Sequence, residues 1–170
     1  MTAPVMDIKR ILRHLVTDHW SVRRAFTSRA MQAIETAIAE QESRHQGELR
    51  FAVEAALALP ELLAGVTARQ RAIEQFGRLR IWDTEHNSGV LIYLLLADRK
   101  VEIVADRGIH MRAGDAQWQA ICADMQREFR AGRFEQGVVG GIRAISDLLA
   151  AHYPSSGGKR DELPNKPIVL

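Results

Sequence analysis

Hydrophobic and polar positions sort the chain into a clear series of elements. From Met6 to Phe26 the string MDIKRILRHLVTDHWSVRRAF sets Ile8, Ile11, Leu12 and Leu15 on one helical stripe, with Lys9, Arg10, Arg13 and His14 elsewhere. That spacing predicts a basic amphipathic helical arm over residues 1–26. Thr27 or Ser28 offers a capping oxygen to a second helix, in which Met31, Ile34 and Ile38 recur until about Ser43. From Glu48 the string ELRFAVEAAL alternates Leu49, Phe51 and Val53 with Glu48, Arg50 and Glu54, the period of a half-exposed strand nearer an edge. Beyond Pro60, Thr67 is placed to cap a crossover helix with Ala68, Ile73, Phe76 and Leu79 inward. GVLIYLLLA, Gly89 to Ala97, is uninterruptedly apolar and reads as a strand covered on both faces in mid-sheet. Asp98-Arg99 makes a tight turn into the partner strand KVEIVAD. Two helices follow, from about Ala116 to Arg130 and from Phe134 to about His152, the second with Gly137, Gly140 and Gly141 permitting close packing. PSSGGKRDELPNKPIVL is linker-like, a flexible tail over 154–170.

Helix, strand, helix, hairpin, two helices: this order predicts an α/β domain over residues 27–153, with a small mixed sheet of three to four strands covered by helices on both faces. The crossover makes the first two strands parallel, and the hairpin makes the third antiparallel to the second.

Composition narrows the function classes. With 170 residues, 46% hydrophobic, the chain can bury one substantial core. Lys plus Arg total 23 against 21 for Asp plus Glu, so the chain is no electrostatic match for a nucleic acid. Asp7, Lys9, Arg10 and Arg13 interrupt any secretory apolar core, and no long apolar run follows, which predicts a cytoplasmic protein. KRDEL at 159–163 is internal and is no retrieval address. Cys122, the single cysteine, falls in a helical pattern and reads as a small buried thiol.

The topology also concentrates chemistry. The starts of the first two strands and the end of the third lie on one edge, and there stand Glu48, then Asp83, Glu85 and Asn87, then Asp106. A two-residue turn at Asp98-Arg99 puts Asp106 opposite Leu91 and Gly89 opposite Gly108, leaving open backbone beside these oxygens. Hard cations take such a donor set, Ca²⁺ or Mg²⁺ rather than Zn²⁺, since His45, His86 and His110 show no HxH or HExxH spacing. The alternative is that the acids are solvated, or pair with Arg50, Arg80, Arg107 and Arg112. Ser88, His86 and Asp83 are neighbours without a GxSxG elbow, and GVVGGIR lacks the Lys-Ser/Thr of a phosphate loop.

WDTEHNSGVLIYLLLADRKVEIVADRGI, 82–109, resembles the core of the TPM domain. The similarity extends back through AEQESRHQGELRFAVE and forward through FRAGRFEQGVVGGIRAI, roughly residues 30–150. The arm and the ELPNKPIVL tail resemble a cytoplasmic branch without signal sequence or transmembrane anchor. The resemblance implies an α/β/α sandwich that binds Ca²⁺ at the acidic edge, with Glu48, Asp83, Asn87 and Asp106 at the matching positions. Many anchored relatives show Asp-Asn-Gly where this chain has Asn87-Ser88-Gly89, and Asp83 and Glu85 are the residues placed to replace the lost carboxylate. Thylakoid relatives described as acid phosphatases imply, at most, a weak phosphatase activity.

The function expected is therefore a divalent-cation-binding module, most simply for Ca²⁺, acting through a protein partner or self-association along residues 6–26. The first alternative is metal-assisted hydrolysis of phosphomonoesters, with Arg107 contacting the anion. The second is a peripheral membrane role for the basic arm, set below domain or dimer packing.

Overall fold

The structure, a computed structural model, describes residues 7–157 and 162–170. Residues 1–6 of the expected arm and 158–161 of the expected tail, including the start of KRDEL, lie outside them. The elements are α1 (Ile8–Val16), α2 (His19–Ala25), α3 (Ser28–Glu42), β1 (Glu48–Glu54), α4 (Leu59–Leu63), α5 (Ala68–Arg78), β2 (Gly89–Leu95), β3 (Lys100–Ala105), α6 (Arg107–Ala113), α7 (Asp115–Arg130), α8 (Phe134–His152) and β4 (Ile168–Val169).

The strands form one mixed sheet in the order β3-β2-β1-β4, with β1 parallel to both neighbours and β2 antiparallel to β3. Side chains alternate between its faces. Leu49, Phe51, Val53, Val90, Ile92 and Leu94 pack with α3, α7 and α8. Ala52, Leu91, Tyr93, Leu95 and Val104 pack with α4 and α5. The result is the three-layer α/β/α sandwich, and β2, wholly buried, is its centre. Gly137 and Gly141 bring α8 onto α7, since a Cβ at Gly137 would stand 2.6 Å from the Phe129 ring.

Several sequence expectations need correction. The arm is two helices, because Asp18 caps a new one by accepting from Ser21 N–H while Ser21 answers to the Asp18 backbone. Strand β1 is neither peripheral nor half-exposed. Its alternation sorts faces, but the polar face meets protein instead of water. Glu48 accepts from Leu163 N–H at 3.1 Å, Arg50 donates to the Pro164 carbonyl, and Glu54 takes both the Arg71 guanidinium and the Tyr93 hydroxyl. The segment read as a flexible tail thus returns to β1 and ends in β4, paired at Ala52–Ile168 and Val53–Val169. In α5 Thr67 caps as expected and Ala68, Ala72 and Gln75 are buried, but Ile73 faces solvent. The short helices α4 and α6 fall where only loop was expected.

The hairpin register also differs. Leu95 pairs with Lys100 and Val90 with Ala105, so the connection is the four residues 96–99. The reason lies in β1: Glu54 and Ala55 carbonyls accept from Leu96 and Ala97 N–H at 2.9 and 3.0 Å, holding these residues in the parallel ladder after they have left β3. Arg99 closes the turn at φ +49°, donating to the Leu96 carbonyl.

Candidate functional site

The acidic edge forms at the level of the backbone. Glu48 pairs with Gly89, and Asp106 N–H donates to the Gly89 carbonyl at 2.8 Å, so the ends of three strands meet as the topology required. Asp106 therefore stands beside Gly89, not Leu91, and Gly89 does not face Gly108. Neither glycine leaves open backbone: Gly89 lies against the Ile81 carbonyl and Gly108 against the Asn87 carbonyl and the Tyr153 hydroxyl.

The side chains at this edge go separate ways. Glu48 is buried and turned to Leu163. Asp83 is exposed and paired with Arg80 at 2.8 Å. Glu85 is exposed, and its backbone N–H meets the Glu162 carboxylate at 3.1 Å. Asn87, exposed at φ +48°, shapes the loop. Asp106 caps α6 through Oδ1, which accepts from Arg107 N–H at 2.6 Å, whereas its Oδ2 is buried without a hydrogen-bond partner among the described residues. Arg107 is exposed and forms no ion pair among them. No group of three or more His, Cys, Asp or Glu side chains among the described residues could hold a metal ion. The donors that a cation would need are thus not gathered, although Asp106 Oδ2 is a buried oxygen without a hydrogen-bond partner among the described residues.

Ser88, His86 and Asp83 do not assemble into a triad here. The Ser88 hydroxyl is buried against the Gln46 carbonyl at 3.4 Å, while His86 faces solvent. His45 is buried with Nδ1 on the Gly47 carbonyl, and His110 pairs with Asp115 at 3.1 Å, so the three histidines serve different contacts.

The opposite edge carries the second concentration of chemistry. Helix α1 packs on the β2–β3 turn through its polar side. The Asp98 carboxylate, nearly buried, accepts from Arg10 Nε at 3.0 Å, from Arg13 at 3.3 Å and from His14 Nε2 at 3.0 Å, and Arg10 Nη2 stands 3.0 Å from it as an ion pair. Leu57 N–H donates to His14 Nδ1 at 2.9 Å, which fixes the proton on Nε2. Arg10 also reaches the Val66 carbonyl at 2.9 Å. Burial pushes the Asp98 carboxyl upward, but the hydrogen bonds from Arg10 and His14 outweigh it and hold the group below the usual carboxylate range.

Because Arg10 and His14 face inward, the apolar stripe expected to pack faces outward. Ile8, Leu12, Leu15, Val16 and, from α2, Trp20 are between 56% and 76% exposed, and only Ile11 is partly covered. Arg23 lies over the Trp20 ring at 5.3 Å. Behind this face, between α1–α2 and the turn, is a cavity of about 440 Å³ lined by Arg13, Arg24 and Arg99. The sequence signal for it was present in the basic residues of the arm, but the partner turn is some eighty positions away. Among the described residues no helix is long and apolar enough to cross a membrane.

Comparison with known proteins places the domain. None of the curated proteins matches the chain. The solution structure of the BA42 protein from the psychrophilic bacterium Bizionia argentinensis is 30% identical, with 85% of this chain and 95% of that one covered at a TM-score of 0.76. The N-terminal domain of a protein from P. gingivalis shares the fold at 16% identity, covering 76% of this chain and 82% of that one with a TM-score of 0.60. The TPM domain profile matches residues 23–148, beginning within α2 and ending within α8. The chain belongs to the TPM domain family.

Proposed function

We propose that this TPM domain is a binding module that rests on an anionic lipid surface through the outer face of α1 and α2. The observation that supports it is the outward set of Ile8, Leu12, Leu15, Val16 and Trp20. Four large apolar side chains on one side of α1, with Trp20 exposed on the helix that follows, are more than scattered surface hydrophobes and mark an interaction surface. Full burial of one such side chain stabilises by about 1.5–3 kcal/mol. A Lys or Arg near an anionic leaflet contributes about 1 kcal/mol, so insertion dominates and Lys9 and Arg23 add orientation.

Charge favours lipid over a second copy of this chain. Lys9 and Arg23 are exposed on α1 and α2 and stand outside the Asp98 cluster and the cavity, and a two-fold interface on this face would set them against their own copies. The exposed Trp20 of α2 also suits the interfacial depth that indole rings prefer.

Sedimentation of the full chain with phosphatidylserine-containing vesicles tests the proposal. Binding is expected to fall sharply in Leu12→Glu and Trp20→Glu, and to weaken without vanishing at high salt. Equal sedimentation of the two variants and the parent, or dimer formation lost in the same variants without vesicle binding, would overturn it.

A second reading, a divalent cation at the acidic edge, is favoured by the buried, unpartnered Asp106 Oδ2. Ca²⁺ and Mg²⁺ titrations followed by backbone NMR test it. Shifts confined to residues 48, 83–89 and 106–110 support a cation there; none at millimolar metal excludes it.

A further inference from the structure

We infer that the cavity between α1–α2 and the β2–β3 turn is a binding site for a phosphomonoester dianion. Arg13, Arg24 and Arg99 reach it from three different elements, and no carboxylate is among its lining residues. Arg13 already shares Asp98, but Arg24 and Arg99 form no ion pair among the described residues. Asp18, whose charge Arg24 feels, is occupied in capping α2 and stays outside the lining. Arg24 donates to the Ser21 hydroxyl at 3.5 Å, and two guanidiniums without a carboxylate partner among the described residues, beside a third, leave a positive field that an anion neutralises.

The chemistry selects the anion. A phosphomonoester carries about −1.5 to −2 at neutral pH and presents three acceptor oxygens, which suits two free guanidiniums better than a single carboxylate does. The Thr17 and Ser21 hydroxyls line the same space. Its wall at Leu96, Ala97 and Phe134 is apolar, and a volume of about 440 Å³ leaves room for an organic group beside the phosphate. Arg99 holds its place through a left-handed backbone unusual for a residue other than glycine.

Arg13, Thr17 and Ser21 precede residue 23, where the family match begins, so part of this site is contributed by the segment ahead of that match. Val16 belongs both to the cavity lip and to the outward apolar face. A phosphomonoester headgroup in the lipid under that face would enter the cavity from the lip; this source of the ligand rests on the docking proposed above. A soluble phosphomonoester offers the same chemistry without it.

The test uses the full chain in two arms. In the first, vesicles containing phosphatidic acid are compared with phosphatidylserine vesicles of equal charge. In the second, inorganic phosphate is titrated against the protein and followed by backbone NMR. Binding to phosphatidic acid is expected to be about tenfold tighter than to phosphatidylserine. Arg99→Gln, and independently Arg24→Gln, should erase that preference while phosphatidylserine binding persists. Equal binding to both lipids, with no phosphate-induced shifts at Arg24 and Arg99, would overturn the site and leave the docking intact. No vesicle binding, with millimolar phosphate shifting Arg13, Arg24 and Arg99 in the parent but not in Arg99→Gln, would overturn the docking and support a site for a soluble phosphomonoester. Neither vesicle binding nor phosphate shifts would overturn both.

Discussion

His14 and Asp98, eighty-four positions apart, meet at 3.0 Å where α1 packs on the β2–β3 turn, and this pair sets which side of α1 faces the solvent. An imidazole committed to Leu57 N–H on one nitrogen and to Asp98 on the other has no third partner to seek. Arg10 beside it completes a polar contact that outcompetes the helix's own apolar stripe for the protein surface.

Asp98→Ala is expected to destabilise the fold by about 2–3 kcal/mol at neutral pH, the lower end for removing one member of a buried charged network because Arg10 keeps some solvent. The Asp98 carboxyl is held below its usual range, so its contribution is fully present above the unfolded carboxylate pKa, about 4, and is lost as pH falls through the lower folded value. Denaturation midpoints of parent and variant should therefore converge in acid.

Tyr93→Phe tests the other buried network. Tyr93 Oη donates to Glu54 Oε2 at 2.5 Å, and burial followed by the Glu54 carboxylate pushes the phenol far up, so it stays a donor. Loss of a hydrogen bond to a charged acceptor predicts about 1.5 kcal/mol of destabilisation, with Glu54 still held by the raised, always cationic Arg71. A change of denaturant midpoint without a change of slope is the expected signature.

Gly89→Ala and Gly140→Ala should move stability in opposite directions. A Cβ at Gly89 overlaps the Ile81 carbonyl oxygen and forces the loop before β2 away, at a cost of about 2 kcal/mol or more. A Cβ at Gly140 meets nothing within 4 Å, and alanine there gains up to about 1 kcal/mol of helix propensity. Thermal melts of the two variants decide this.

Glu102→Gln is expected to stabilise modestly at neutral pH. Burial pushes the Glu102 carboxyl up more than Arg69 and Lys100 pull it down. The folded state thus binds this proton more tightly than the unfolded chain, and stability falls as pH rises from the unfolded pKa through the folded one. One quarter of the side chain remains exposed, which limits the gain to about 0.5 kcal/mol. Parent and variant should coincide in acid and separate at neutral pH.

Local signals carried most of the fold into the sequence. Thr67 with Gln70 announces α5, and GVLIYLLLA announces a strand with no wet face. What remained hidden depends on distant partners. The charges at Glu48 and Glu54 look like a solvated face until Leu163 and Arg71 cover them, and the hairpin register obeys β1 carbonyls that a pairing rule for two strands ignores. The acidic edge was legible as a place on the backbone, because topology alone brings Glu48, Gly89 and Asp106 together. Side-chain directions were not legible, since each acid answers to a neighbour from another segment. The cavity of arginines escaped for the same reason: Arg99 gains its meaning only when α1 and α2 fold back on the turn.

The pairing of β4 with β1 sets a timetable for synthesis. Leu163 reaches Glu48 across 115 positions, and Ile168 and Val169 complete the ladder on Ala52 and Val53. A ribosome releases β1 early, yet that side of the strand waits until residues 163–169 have emerged before its hydrogen bonds are filled. Until then the nascent domain exposes a short, apolar strand margin open to intermolecular pairing. A pause or a truncation ahead of residue 168 would prolong that exposure, so aggregation of nascent chains, rather than loss of the mature core, is where damage to the last strand would first be felt.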